Sequence, residues 1–267
     1  MANAALNRTE ACKPGDSYVQ SFARGLEVIR SFNASAPRQT LTEVAARSGL
    51  TRAGARRILL TLQALAYVTT DGKYFSLTPR ILDLGFAYLS SMPIWNLAEP
   101  VMEALVAEVK ESCSAAVLDN TDIVYVLRVP THKIMSISLG VGSRLPAYCT
   151  SMGRMLLSAL PEAEMMQCLE RSDRQARTKY TVTDIRELAT RVAQVRKQGW
   201  SMVNQELEEG LVSMAAPIAN RSGQTVAALN ISGQANRTSA KAMQDAMLPQ
   251  LLAAAQKISR MLSVQRT

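Results

Sequence analysis

The segment 41–65, LTEVAARSGLTRAGARRILLTLQAL, constrains this chain more than any other. Thr40 and Glu43 fit a capping box, in which the threonine hydroxyl accepts an N–H three residues on and the glutamate reaches back. Leu41, Val44 and Ala45 supply one apolar side of a short helix. Gly49 stands where a left-handed residue ends it, and Thr51 is placed to cap the next. On that second helix Ala55, Ile58, Leu59, Leu62 and Leu65 form an apolar stripe. Arg52 and Arg56, four apart, share a face away from most of it, and Arg57 lies to one side. Two short helices with a tight turn and a basic outer face predict a helix-turn-helix whose second helix enters a DNA groove. Thr51, Arg52, Arg56 and Arg57 are its candidate contacts.

The flanking residues extend this unit. Phe22, Leu26 and Ile29 have helical spacing, and Ser35, Ala36 and Pro37 end that helix. Two β-rich runs between Tyr67 and Leu77 meet at Asp71-Gly72, a hairpin signal. Three helices and a hairpin make a winged helix-turn-helix over 17–78. Lys73 at the wing tip is a candidate phosphate contact, or a solubilising charge. Residues 1–16 read as a disordered tail. A helix over 79–94, with Leu82, Leu84, Phe86 and Leu89, carries too much apolar surface for a solvated linker. Packing on a second copy explains that, as does packing on its own domain. Charge agrees with the division: residues 1–80 hold 11 Lys/Arg against 5 Asp/Glu, and the rest hold 19 against 17. Only the N-terminal part has the excess positive charge that suits a polyanion.

From residue 95 to 267 the pattern changes to antiparallel strands with helices between and after them, so the whole chain reads as α+β. Strands are expected at 115–119, 123–129, 134–139, 201–204, 212–219 and 225–231, and helices at 97–112, 151–160, 161–171, 183–198 and 239–262. No apolar run reaches membrane length, and residues 1–15 lack the apolar core of a signal peptide. Cys12, Cys113, Cys149 and Cys168 are scattered without metal-ligand spacing, as expected of reduced cytoplasmic thiols. The single histidine, His132, excludes a histidine-dependent triad or an HExxH zinc site. Neither a metal nor a cofactor is expected.

Six stretches in order carry a resemblance: SFARGLEVIRSFN (21–33), LTEVAARSGLTRAGARRILLTL (41–62), LTPRILDLGFAYLSSMPIW (77–95), GSRLPAYCTSMGRMLLSAL (142–160), GWSMVNQELEEGLVSMAAPI (199–218) and VAALNISG (226–233). With these the chain resembles the IclR family of bacterial transcriptional regulators, and within it the regulators of protocatechuate and β-ketoadipate pathway genes (the PcaR, PcaU and PobR subgroup). The resemblance implies a winged helix, a linker helix and a GAF-like α/β effector domain. It implies homodimers, commonly paired into tetramers, on double-stranded promoter DNA. The implied role is activation of an aromatic-acid catabolic operon, often with repression of the regulator's own gene, in response to a small carboxylate such as β-ketoadipate, protocatechuate or 4-hydroxybenzoate.

The same resemblance assigns effector contacts to Ser151 and Met152 at a helix start, to Asn204 and Ser213, and to Asn230 and Ser232 on the last strand. The physics is compatible: a helix N-terminus offers free N–H groups and a positive dipole end to a carboxylate, and residues two apart on a strand face one side. Two departures matter. Met152 is bulkier than the small residue some members carry there, and Val203-Asn204 lacks an acidic residue found in others, whose absence favours an anionic ligand. Arg144 is a candidate counter-charge or a solvated surface residue. Tyr148 and Cys149 are candidates for lining or for core. Arg128, His132 and Lys133 read as a solvated loop. Competing functions are an enzyme acting on a small acid, with Cys149 as the nearest approach to a nucleophile, and a thiol-based redox sensor.

Overall fold

The computed structural model describes residues 18–91, 94–131 and 139–264. The expected tail, His132, Lys133 and all of the expected strand at 134–139 except Leu139 lie outside the described residues. The chain divides into two compact units, Met1–Ser90 and Ser91–Thr267.

In the first unit, Gln20–Arg30 (α1) precedes a short strand, Arg38–Thr40 (β1), and the helices Leu41–Arg47 (α2) and Arg52–Ala64 (α3). The capping box forms: Glu43 N donates to Thr40 Oγ1 (3.4 Å) and Thr40 N to Glu43 Oε2 (2.7 Å). These bonds from Thr40 hold the Glu43 carboxyl below its ordinary pKa. The turn closes with Gly49 at φ +66° and Leu50 N donating to Ala45 O (2.9 Å), a six-to-one bond that only a left-handed residue before it allows. Val28, Phe32, Val44, Ala45, Ala55, Leu59, Leu62 and Val68 form the core. Phe22 does not join it and is 68% exposed, because α1 is apolar on two sides and the side carrying Val28 faces inward.

Val68–Thr70 (β2) and Tyr74–Leu77 (β3) make the wing, with Thr70 opposite Phe75 across the Asp71-Gly72 turn. β1 adds to the other edge of β3, giving a three-stranded sheet. This third strand has no sequence signature beyond three residues. A 3-10 turn at Pro79–Ile81 leads into Leu82–Ser90 (α4). No residue of α4 is buried, and Leu82, Leu84, Phe86 and Tyr88 are exposed.

The second unit has three layers. Its sheet is antiparallel, in the order β6-β5-β4-β9-β8-β7, from Ser112–Asp119 (β4), Asp122–Val129 (β5), Arg144–Pro146 (β6), Ser201–Asn204 (β7), Leu211–Ala219 (β8) and Thr225–Gln234 (β9). Ile94–Val109 (α5) and Ala240–Val264 (α9) pack on one face. Ser151–Ser158 (α6) crosses the other, backed by Glu162–Arg171 (α7) and Ile185–Gln198 (α8). Ala116, Ala215 and Ala228 on that face keep the sheet low beneath α6. Arg196 of α8 closes the far end of α6 by donating to Ser158 O (2.7 Å) and Leu160 O (2.6 Å). Gly153 is where the helix comes closest to its own lead-in: a Cβ there would lie 2.2 Å from Ala147 O.

Candidate functional site

Two sites follow from this architecture. The first is the outer face of α3. Arg52, Arg56 and Arg57 are all exposed, because the stripe Ala55, Leu59 and Leu62 takes the opposite side into the core. Thr51 caps the helix through its hydroxyl, which accepts from Gly54 N (3.1 Å). It leaves its O–H proton free to donate outward. On the wing, Asp71 accepts from the Lys73 and Tyr74 N–H groups (3.0 and 2.8 Å), which with Arg38 at 2.6 Å holds its carboxyl below the ordinary range. Lys73 and Arg38 lie 5.2 and 5.1 Å from the Tyr74 ring centre. The wing thus presents two cations on one aromatic ring. Arg38 had no signal in sequence, because its partner stands 33 residues away.

The second site is a cavity between α6 and the sheet. Its walls are Cys149, Thr150, Ser151 and Met152 at the α6 start, Tyr125, Arg128, Val203, Leu211, Ser213, Asn230 and Ser232 on strands, and Leu139 and Leu207. The register explains the set. Arg128, Ser114 and Asn230 are partners across β5, β4 and β9, and Ser232, Ser213 and Val203 are partners across β9, β8 and β7. Asn230 is fixed in place, since its Oδ1 accepts from Ser114 N (3.0 Å) and its Nδ2 donates to Ser232 Oγ (2.9 Å). At the helix start, Gly153 N is taken by Thr150 Oγ1 (3.2 Å) and Arg154 N by Thr150 O (3.0 Å). The Ser151 and Met152 N–H groups have no helical acceptor, the ordinary condition of a first turn.

Of the eight expected contacts, Ser151, Met152, Ser213, Asn230 and Ser232 come together here. Three do not. Arg144 is on the edge strand β6, exposed, with its guanidinium on Asp119 (2.8 Å) and Asp122 (3.2 Å). Tyr148 is buried beside the cavity, its hydroxyl donating to Gln175 O (2.7 Å). Asn204 is exposed, and strand alternation brings Val203 inward in its place.

Arg128 reverses the expectation of a solvated loop. Tyr125 and Arg128 are three apart, which in an unbroken strand sends them to opposite faces. A bulge between Ala115 and Ala116 leaves Val126 as the extra residue on β5 and returns Arg128 to the cavity side. It is the only formally charged side chain among the described lining residues. Burial pushes the Tyr125 hydroxyl up to about 12, with Arg128 pulling the other way. Burial likewise pushes the Cys149 thiol up to about 11. Both are neutral donors at neutral pH, and the Cys113 and Cys168 thiols are also raised by burial. The described walls leave about 30 Å³, room for a few waters at most. Among the described residues no group of three or more His, Cys, Asp or Glu is placed to hold a metal, and no helix is long and apolar enough to cross a membrane.

These features have counterparts in known proteins. Residues 21–72 match the IclR helix-turn-helix domain, and residues 86–260 match the C-terminal domain of bacterial transcriptional regulator IclR. The chain is 41% identical over 256 residues to the Pca regulon regulatory protein of Pseudomonas putida, covering 96% of this chain and 88% of that protein. It is 35% identical over 241 residues to the p-hydroxybenzoate hydroxylase transcriptional activator of Acinetobacter baylyi, covering 88% and 89%. A transcriptional-regulator structure from Rhodococcus sp. RHA1 superposes with a TM-score of 0.83 at 49% identity, covering 92% of this chain and 99% of that one. The inducer-binding domain of a PobR double mutant from Acinetobacter, solved with 3-hydroxybenzoic acid, superposes at 0.59 and 30% identity, covering 62% and 98%. The chain belongs to the IclR family of bacterial transcriptional regulators.

Proposed function

We propose that this regulator switches an aromatic-acid catabolic operon, of the β-ketoadipate type, by binding a small carboxylate in the cavity beneath α6, and that it acts as the operon's activator. One observation carries the reading: the sole charge on the described walls is the Arg128 cation, and it shares the cavity with the α6 N-terminus and the hydroxyls of Ser213 and Ser232. A guanidinium, unpaired N–H groups and hydroxyls together form a donor-rich site in a low-dielectric setting, suited to a carboxylate with a further acceptor. The names of the two relatives and the benzoate held by the PobR domain point to the same class of acid. The raised thiols favour neither a nucleophile nor a redox sensor.

On the DNA side, Thr51, Arg52, Arg56 and Arg57 read one half-site and Lys73 touches phosphate. The exposed apolar residues of α4 and Phe22 of α1 pair two copies in the cytoplasm, and dimers associate further. A thermal-shift panel of 4-hydroxybenzoate, protocatechuate and β-ketoadipate tests the ligand class. At least one acid should raise the melting temperature progressively with concentration, and should alter footprints on the operon's promoter. No shift with any of them would remove the reading.

A further inference from the structure

The segment between β7 and β8 forms one wall of the cavity. It is bracketed by two left-handed residues, Gln205 at φ +61° and Gly210 at φ +82°. Its base is closed by Gln205 N donating to Leu211 O (2.7 Å) and Gly210 N donating to Gln205 Oε1 (3.0 Å). Leu207 and Leu211 face the cavity from it. Glu206 points the other way and is 3% exposed. Its carboxylate accepts both terminal nitrogens of Arg154 (2.7 and 2.5 Å), Arg191 Nη1 (3.4 Å) and Val182 N (3.2 Å).

Arg154 is 2% exposed and stands on α6, two residues past Met152. Its Nε donates to Tyr148 O (2.9 Å), fixing the lead-in that carries Cys149 and Thr150. One buried guanidinium is therefore bonded at once to the α6 wall of the cavity and to the strap opposite. Neither charged group touches the cavity itself. A pair of this kind is a poor investment for stability alone, because desolvating both charges offsets most of their attraction. It does fix geometry, since a bidentate fork has one orientation.

The described walls leave about 30 Å³, too little for an aromatic acid, and the strap and the α6 start are two of those walls, so their separation enlarges the space. We propose that Arg154 and Glu206 are positioning residues of the effector site: their buried pair latches the 205–210 strap to α6 and so sets how fast an effector enters and leaves. This rests on the carboxylate reading of the cavity. The strap opens as a local unit about its two left-handed ends and carries Leu207 outward, while the sheet and α8 stay in place.

The test uses the full-length protein and whichever of 4-hydroxybenzoate, protocatechuate and β-ketoadipate it binds. R154M/E206M replaces the pair by apolar side chains of similar reach and keeps the fold. Stopped-flow binding should then show dissociation about tenfold faster or more, the scale of an ordinary coupling between sites, with the circular dichroism of the wild type and a melting temperature lowered by the loss of partners for Val182 N and Tyr148 O. Hydrogen exchange should show the 205–210 amides freed in the variant while α8 amides are unchanged. A folded variant with wild-type dissociation and a protected strap would overturn the latch. E206Q, which leaves the Arg154 charge in place, should show the same kinetic direction with a lower melting temperature. If neither variant folds, the wild type decides: slow, concerted exchange of the strap amides without ligand supports the latch, and fast exchange there sinks it. Failure of the wild type to bind any of the three acids counts against the carboxylate reading, whereas binding with unchanged kinetics in the variants counts against the latch alone.

Discussion

The α3 surface and the α6 cavity both place arginine where an anion is to be met, yet they are built in opposite ways. On α3, Arg52, Arg56 and Arg57 stand in solvent on one continuous helix, with no side-chain partner among the described residues. In the cavity a single arginine, Arg128, is half-buried and aimed by a bulge, among groups drawn from four strands and a helix start. An exposed array suits a long polyanion, where each charge adds a modest, salt-sensitive increment. An arginine in a half-enclosed site suits one small anion, because a lower dielectric strengthens its pull and the remaining donors fix orientation. The two surfaces should therefore respond differently to substitution, salt and pH.

The contrast breaks most visibly at Gly153. Gly153→Ala forces a methyl against the Ala147 carbonyl, and the second unit should lose about 3 kcal/mol or more through overpacking and backbone shift. Calorimetry should show that loss in one transition, with the winged-helix transition unmoved. A variant melting like the wild type would mean that α6 sits higher over its lead-in than described. Next in size is R52A/R56A, which should abolish specific promoter footprinting, at about 1–3 kcal/mol per base-reading arginine. Circular dichroism and the oligomeric state should stay as in the wild type. Retained footprinting would remove α3 as the reading helix.

Smaller effects sharpen the comparison. Thr51→Ala removes the α3 cap and should cost the first unit about 1 kcal/mol, read by denaturant titration. Lys73→Ala should weaken DNA binding uniformly across sequences and lower the salt slope by about one. The Cys149 thiol gives a pH test. Its unfolded value is near 9 and its folded value is pushed to about 11, so the folded state keeps the proton longer. Stability contributed this way is whole below pH 9 and declines as pH rises toward 11. Alkylation of Cys149 at pH 8 should accordingly be slow until the protein is unfolded, and rapid modification in the native state would reopen the redox reading.

How much of this was visible in sequence follows from the same difference. The α3 unit is local: the Thr40–Glu43 box, the left-handed Gly49 and the Ala55–Leu59–Leu62 stripe are each set within a few residues, so spacing alone locates the exposed arginines. Ser151 and Met152 were legible as a helix start, and Asn230 and Ser232 as same-side strand positions. Arg128 was not, since the bulge that turns it inward depends on the pairing of β4 with β5. At 203–204 the sequence points to Asn204 and the structure to Val203, because parity on a four-residue strand has no anchor until the partner Ser213 is known. Arg144 looked free in sequence, and the aspartates that hold it lie 22 and 25 residues away.

The most direct measurement is isothermal titration of the wild type and Arg128→Met with 4-hydroxybenzoate and with 4-hydroxybenzamide, its uncharged counterpart. The wild type should bind the acid and discriminate against the amide by at least about 1.5–3 kcal/mol, the worth of a hydrogen bond to a charged group. Arg128→Met should lose that discrimination while holding promoter DNA as tightly as before in the absence of ligand. Equal binding of acid and amide by the wild type, or undiminished preference for the acid in Arg128→Met, would contradict the account of a cavity that meets its ligand with the Arg128 cation.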